Sequence, residues 1–392
     1  MSDHPVADGS GVVSASPANP GRSAPPEGLP LLIVGTGLIG TSIGLAVADP
    51  NAVRLFDLDP THLQVAVDKG AGRAWNGSEQ VGHVVVAIAP RLIAAELKRL
   101  QDLGVGSTWS HVSSTQAAVQ HQIETIGCVT TNLCGGHPMG GAERPGPGAA
   151  HAELFAGRPW ALCPSGSTRP EALAAVRALA LQCGAEPVVL TAQEHDAAVA
   201  AVSHLPQIAA SALAATLLAG PSRRADPVRL AGPGLRDTTR IAASDPALWV
   251  DVLQQNAAAV APLVHALAAD LERVALALSG LAQSQPATAA QSGLLGVVED
   301  LLRRGNAGRA CVPVKRGEHD SDFARVAVAV PDRPGQIAGV LASAAEADIN
   351  VEDVRVEHLA GRPRGVIELL VHASTLEQAR LALAAAGWDV LS

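Results

Sequence analysis

Tyrosine is absent from the 392-residue chain, and phenylalanine occurs three times. Rings on which single-stranded bases could stack are therefore scarce. Basic residues are also few: 28 Lys plus Arg face 37 Asp plus Glu, a formal net charge of −9. Nothing here would neutralise a run of phosphates, which argues against a nucleic-acid partner. The five cysteines, Cys128, Cys134, Cys163, Cys183 and Cys311, form no CxxC pair and are odd in number. Neither a metal site nor a disulfide framework is expected, and idle thiols fit a reducing cytoplasm.

Long apolar runs are missing too. Residues 1–28 have no apolar core of the signal-peptide kind and read as a Pro/Gly/Ser/Ala-rich disordered segment, so the expected location is cytoplasmic. The Ala-rich stretch from Ala197 to Ala219 is interrupted by Ser203, His204, Pro206 and Gln207. A membrane span needs about 20 nearly unbroken apolar residues, so this stretch is expected to pack inside protein and no membrane partner is expected. What is abundant is small apolar side chains: 48% of the chain is hydrophobic, ample for real cores, and its length suggests two or three domains.

Residues 29–190 alternate short apolar runs with helical patterns. Leu31–Val34, Val53–Phe56, His83–Ile88 and Pro159–Leu162 read as buried strands, with helices at Leu38–Ala48, Pro60–Val67 and Arg91–Leu103 between them. Such alternation predicts an α/β domain with a mostly parallel sheet and helices on both faces. Residues 191–280 lose the strand signal. Val260, Leu263, Val264, Leu267, Leu271, Val274 and Leu278 fall on one helical stripe, around a proline at 262 that either kinks the helix or sits in its first turn. This predicts an all-helical second domain whose stripe is core or a subunit interface, a homodimer being the expected state. Residues 281–320 read as a linker with a short helical piece near Leu294–Leu302. Residues 321–392 run strand Phe323–Val330, helix Ile337–Ala347, strand Asn350–Glu357, strand Arg364–His372 and helix Leu376–Ala386, a ferredoxin-like βαββα order.

Gly35-Thr36-Gly37-Leu38-Ile39-Gly40 follows the first strand and opens a helix, and Asp57 closes the next strand 17 residues after Gly40. In this context GxGxxG predicts a Rossmann-type dinucleotide-binding domain. Gly35 permits the tight turn, Gly37 lets backbone approach a pyrophosphate, and Gly40 lets the helix lie against the strand. The pyrophosphate would sit on the helix N-terminus. Asp57 would accept hydrogen bonds from a ribose diol and repel a 2′-phosphate. No arginine follows it in Leu58-Asp59-Pro60, so NAD is the expected cofactor.

Further on comes Gly135-Gly-His-Pro-Met-Gly-Gly-Ala-Glu143, in which His137, set between glycine pairs, reads as a residue exposed at a cleft. Ser113-Ser-Thr115, Ser203-His-Leu-Pro-Gln207 and Gly234-Leu-Arg-Asp-Thr-Thr-Arg240, running on to Trp249, complete the constellation. With GTGLIGTSIG, GGHPMGGAE, SHLP and RDTTRIAASDPALW in that order, residues 30–275 resemble the prephenate/arogenate dehydrogenase family of tyrosine biosynthesis. The terminal unit resembles an ACT domain through DRPGQIAGVL and ADIN.

The resemblance implies NAD-dependent oxidative decarboxylation of prephenate to 4-hydroxyphenylpyruvate. His137 matches the family's catalytic histidine, which draws off the ring-hydroxyl proton as hydride leaves; an unperturbed imidazole is largely neutral and able to accept a proton at pH 7. Ser114 matches a serine that bonds the hydroxyl and the histidine. Arg240 matches the arginine that binds a substrate carboxylate, suited to it by its forked guanidinium. Asp237, three residues earlier, is expected on the same helix face, able to orient Arg240 or a histidine. Glu143 matches an acidic residue of the pocket wall, and His204 and Gln207 are expected to touch substrate.

Two positions depart from the family pattern. Gln207 stands where many relatives carry a second histidine, and His111 where they often carry aspartate. The first bears on whether the substrate side chain holds a ketone (prephenate) or an amine (arogenate), so arogenate dehydrogenase is the alternative activity. A 3-hydroxyacid dehydrogenase would usually need a lysine near the hydroxyl, and Lys69, Lys98 and Lys315 lie in no suitable motif. A catalytically weakened homologue that senses amino acids is the reading from another class. In the ACT-like unit, Asp332, Gly335, Asp348 and Asn350 are the expected effector-binding residues, with tyrosine as the candidate effector.

Overall fold

A computed structural model describes residues 29–47, 49–141, 144–218, 230–283, 289–312, 322–358 and 364–391. The expectations for residues 1–28 and for Glu143 lie outside the described residues. The chain divides into two compact units, residues 1–223 with 239–264, and residues 224–238 with 265–392.

The first unit is built on an eight-stranded sheet in the order β3-β2-β1-β4-β5-β6-β7-β8. Its strands are β1 (Leu31–Val34), β2 (Val53–Phe56), β3 (Arg73–Ala74), β4 (Val81–Val86), β5 (Gly106–His111), β6 (Leu133–Pro138), β7 (Pro159–Pro164) and β8 (Glu186–Val189). All neighbours pair in parallel except β6 and β7, which are antiparallel. Strand β1 and the second half of β4 are uninterrupted apolar runs because both faces of the sheet are covered there. Ile33 and Val85 point into one core with Ile43, Leu162 and Trp160, while Leu32 and Val84 point into the other with Ile93, Leu97 and Trp109.

The helices are α1 (Leu38–Ala46), α2 (Pro60–Asp68), α3 (Pro90–Asp102), α4 (Ala117–Thr125), α5 (Pro170–Gln182), α6 (Ala192–Val199), α7 (Leu205–Thr216), α8 (Pro233–Thr239), α9 (Pro246–Gln255), α10 (Ala257–Gln283) and α11 (Ala289–Ala310). Proline at N1 starts α2, α3, α5 and α9, where its missing N–H costs nothing. Thr191 and Glu194 form a capping box that opens α6.

Helices α6 and α7 are joined by a wide turn, Ala200–His204, in which the N–H of Leu205 reaches back five residues to the carbonyl of Ala200. The continuous Ala192–Thr216 helix is long and apolar enough to cross a membrane by length and composition. It nevertheless carries buried His195, Asp196, His204 and Gln207, polar groups that hydrocarbon would leave costly and that here find protein partners.

The second unit holds α8, the greater part of α10, α11 and a four-stranded antiparallel sheet, order β10-β11-β9-β12. Its elements are β9 (Phe323–Pro331), α12 (Gln336–Glu346), β10 (Asp353–His358), β11 (Arg364–His372), α13 (Leu376–Ala385) and β12 (Asp389–Leu391). The added strand β12 makes the order βαββαβ. Strand β9 alternates as expected for a sheet covered on one face, with Val326, Val328 and Val330 buried against α12 and α13.

One further expectation changes, and the alternative left open for Pro262 is decided. The linker piece near 294–302 is a 22-residue helix, α11, held to α10 by Arg304, which pairs with both Asp270 and Asp300. The proline at 262 lies inside α10 rather than in its first turn.

Candidate active site

The glycine turn follows β1. Gly35 has φ +99°, and a Cβ there would stand 2.3 Å from the Ala87 carbonyl oxygen. A Cβ on Gly40 would stand 1.9 Å from the Gly35 carbonyl oxygen, so α1 presses directly on the turn. Gly37, which caps α1, has nothing within 4 Å of that position. No side chain caps α1 and no acid lies in its first turn, so its N-terminus is open to an anion. Thr36 donates to Asp57 Oδ2 from its backbone N–H at 2.6 Å and its hydroxyl at 2.9 Å, which ties the carboxylate to the turn. Asp59 N–H donates to Oδ1 at 2.9 Å. An open glycine face, an uncapped helix start and an acidic residue at the end of β2 fit a dinucleotide.

His137 sits on β6, a strand whose Leu-Cys-Gly-Gly-His-Pro sequence carries no β-branched residue. It is half-buried and partnered, not exposed as its glycine neighbours suggest. Its Nδ1 lies 2.9 Å from Nε2 of His195 on α6, and His195 Nδ1 lies 2.8 Å from Asp196 Oδ1. Asp196 also accepts the backbone N–H groups of Gln116 (2.8 Å) and Ala117 (2.9 Å) at the start of α4. A carboxylate only accepts, so His195 Nδ1 donates to it. A neutral imidazole at that position would offer its Nε2 lone pair to a proton on His137 Nδ1 and leave His137 Nε2 as an acceptor.

Burial pushes the His137 imidazole from its ordinary 6.5 down to about 3, and His195, His204 and His111 add to the effect. His111 is buried as well and is pushed down to about 4, by burial first and His195 second. Gln116 braces the loop before α4, its Nε2 donating to the carbonyls of Ser113 (2.7 Å) and Gly136 (2.9 Å). Gly135 is needed here, since a Cβ would meet Gln116 Oε1 at 2.4 Å and His111 Nε2 at 2.9 Å.

His195 and His204 are nine residues apart, which on an ideal helix puts them roughly half a turn apart around the axis. The wide turn Ala200–His204 supplies one extra residue and rotates His204 toward the His195 side. His204 is 2% exposed and meets Asn256, while the Trp249 ring packs edge-on at 5.9 Å. Burial lowers the His204 pKa. Gln207 is buried and loosely held: its Nε2 donates to Ser211 Oγ at 3.4 Å, and its Oε1 accepts from Ser244 Oγ at 3.5 Å.

The remaining residues fall as follows. Ser114 is half-buried in the loop between β5 and α4. Arg240 opens a 3-10 turn, Arg240–Ala243, that packs on α7; it is exposed and makes no ion pair among the described residues. Asp237 does not share a helix with it, because α8 ends at Thr239, and Asp237 pairs with Arg355 at 3.9 Å. Asp332 and Gly335 precede α12, whereas Asp348 and Asn350 follow it. The 11 residues of α12 put the two loops roughly 16 Å apart within one chain, so they do not form one pocket there. His195, Asp196, Gln116 and Asn256 were not singled out from sequence. The usable signal was an adjacent His-Asp pair one turn into a well-capped helix.

The chain matches two family descriptions: the nucleotide-binding domain of prephenate dehydrogenase over residues 48–195, and the dimerization domain of prephenate dehydrogenase over residues 191–286. It is 33% identical over 343 residues to NovF of Streptomyces niveus, a probable prephenate dehydrogenase, covering 87% of this chain and 93% of that one. Against the prephenate dehydrogenase of Bacillus subtilis (strain 168) it is 25% identical over 352 residues, 86% and 91% of the two chains. Its fold resembles that of prephenate dehydrogenase from A. aeolicus, crystallised with hydroxyphenyl propionate and NAD+ (TM-score 0.61, 23% identity, 72% of this chain and 99% of that one). Synechocystis arogenate dehydrogenase is similar in fold as well (TM-score 0.57, 23% identity, 72% and 99%). The likeness to NovF along most of both chains, with both family domains present, places this chain in the prephenate dehydrogenase family of NAD-dependent oxidoreductases.

Proposed function

We propose that the chain oxidatively decarboxylates prephenate to 4-hydroxyphenylpyruvate, with His137 as the base. The observation that carries this reading is the Asp196–His195–His137 hydrogen-bond chain; donation running outward from the carboxylate would give His137 Nε2 a free lone pair. Asp57 and the Gly35–Gly40 turn would hold NAD, which when bound supplies the hydride acceptor. His137 Nε2 takes the proton of the ring hydroxyl as hydride departs from the carbon bearing it. A charge formed on His137 is shared with His195 by movement of the Nδ1 proton, and Asp196 lies against the far side of that ring. The ring carboxylate then leaves as CO2, and aromatisation drives the step.

Other side chains have assigned parts in this proposal. Ser114 bonds the hydroxyl, Arg240 takes a substrate carboxylate, and His204 and Gln207 contact the substrate side chain. Glu143 is proposed for the pocket wall on its match to the family pattern alone. A second reading, arogenate dehydrogenase, is favoured by the loosely held Gln207 amide, which could turn to meet either a ketone or an amine. Purified protein with NAD and either substrate distinguishes them by NADH absorbance. NADH with prephenate supports the proposal, NADH with arogenate alone supports the second reading, and silence with both supports an amino-acid sensor.

Residues 321–392 are proposed as an ACT-type regulatory domain in a cytoplasmic homodimer, with the loops Asp332–Gly335 and Asp348–Asn350 contributed from two copies to bind tyrosine. The family description of residues 191–286 as a dimerization domain supports the dimer. Loss of tyrosine inhibition on removing residues 321–392 is the expected result. An intact enzyme indifferent to tyrosine would leave that unit a structural role alone.

A further inference from the structure

We infer that Asn256 is a positioning residue that locks His204 as the neutral imidazole with its proton on Nε2. The site then meets its ligands with one imidazole lone pair, from His137, and one imidazole N–H, from His204.

Asn256 follows α9 and is 4% exposed. Its Nδ2 lies 2.8 Å from the backbone carbonyl oxygen of Asp196 and 3.1 Å from His204 Nδ1. The two ends of an amide are usually assigned from their surroundings. Here the chemistry decides, because a carbonyl oxygen only accepts and must face the NH2 end. The other N–H of that group therefore meets His204 Nδ1, which must carry a lone pair, and the proton goes to Nε2. An imidazolium would set N–H against N–H, so the same contact opposes protonation. Burial acts in the same direction. Asp196 thus works twice: its carboxylate sets the tautomer of His195 and through it His137, and its carbonyl orients Asn256 and through it His204.

His204 Nε2 has no protein hydrogen-bond partner among the described residues and is not sealed off there, the one buried side-chain nitrogen without a partner being Trp160 Nε1, so a ligand or water can reach it. An N–H that a ligand can reach and that no protein group uses calls for an acceptor, so the ligand assigned to it brings an oxygen of the carbonyl or carboxylate type. Two sources fit that chemistry, the cofactor's carboxamide and a substrate carboxyl or ketone. Only this ligand assignment rests on the proposed function; the tautomer does not.

The test is 15N NMR of the full chain labelled at histidine, with His204 assigned by its loss in His204→Gln. At neutral pH the lock predicts a pyridine-type Nδ1 and a pyrrole-type Nε2. A proton on Nδ1, or on both nitrogens, would overturn it. Adding NAD alone and 3-(4-hydroxyphenyl)propionate alone separates the two acceptor sources by which one moves the Nε2–H signal; if neither does, the ligand assignment is wrong. Asn256→Asp presents an acceptor to Nδ1 and should transfer the proton there, lowering turnover about tenfold or more. Turnover of Asn256→Asp within twofold of the parent would contradict the role. If the parent turns over neither substrate, the NMR result still decides the lock by itself.

Discussion

His137 and His195 are hydrogen-bonded ring to ring at 2.9 Å, their planes inclined at 67°, and the second ring is anchored in turn by Asp196. Both nitrogens of His195 are committed, one to a carboxylate that only accepts and the other to His137 Nδ1. The carboxylate fixes donation at the Asp196 end, and a neutral imidazole in the middle carries the same direction on to His137.

Asp196→Asn keeps the size of the side chain but lets an NH2 group face His195 Nδ1, which removes that direction. Turnover is expected to fall by about 10²-fold to 10⁴-fold with a much smaller change in substrate KM. Steady-state kinetics together with circular dichroism check this. That NH2 group also replaces the oxygen that accepts the Gln116 N–H, so a drop in melting temperature should accompany the loss.

Three withdrawn histidines make stability depend on pH. His137 is held to about 3 and His83 and His111 to about 4, against 6.5 in the unfolded chain. Between about 4 and 6.5 the unfolded state binds more protons, so stability rises with pH through that window and is lost as pH falls. The urea midpoint should be lower at pH 5 than at pH 7.5. His83 is bonded to Thr108 and Ser110 inside the sheet, at 2.8 Å each, and His83→Gln should narrow the gap. A midpoint equal at both pH values would contradict the burial of these rings.

Gly37 and Gly40 separate binding from folding. Gly40→Ala forces a Cβ to 1.9 Å from a backbone oxygen and should cost about 1–3 kcal/mol or more of stability. Gly37→Ala meets no protein atom within 4 Å, so its melting temperature should stay at the parent value while the KM for NAD rises. Differential scanning fluorimetry with and without NAD reads both effects.

These contrasts also mark what was legible in the sequence. The glycine turn could be read because each glycine answers a local need: a positive φ at Gly35, an open face at Gly37 and a tight contact at Gly40. Strands β1 and β2 fell at the expected residues because β1 is an unbroken apolar run and β2 keeps Val53, Leu55 and Phe56 around a single Arg54. Strand β6 did not, since Gly135-Gly-His137 has no β-propensity and is held by its neighbours on β5 and β7. The His195–Asp196 pair was invisible for another reason. Its meaning depends on a strand 58 residues away, and no local pattern encodes that meeting.

Gln207→His tests the substrate side chain. Among the described residues the Gln207 side-chain amide has two long hydrogen bonds, to Ser211 and Ser244, which leave it free to turn toward a ligand. Replacement by histidine removes the amide and is expected to change the ratio of kcat/KM for prephenate over arogenate by about tenfold. An unchanged ratio removes Gln207 from the choice of substrate.

The most direct test of His137 as the base is NADH formation from prephenate by His137→Asn at saturating NAD. With the accepting nitrogen gone, kcat should fall by about 10³-fold or more while the KM for prephenate stays within a few-fold of the parent. A variant that keeps kcat within tenfold of the parent would contradict the account.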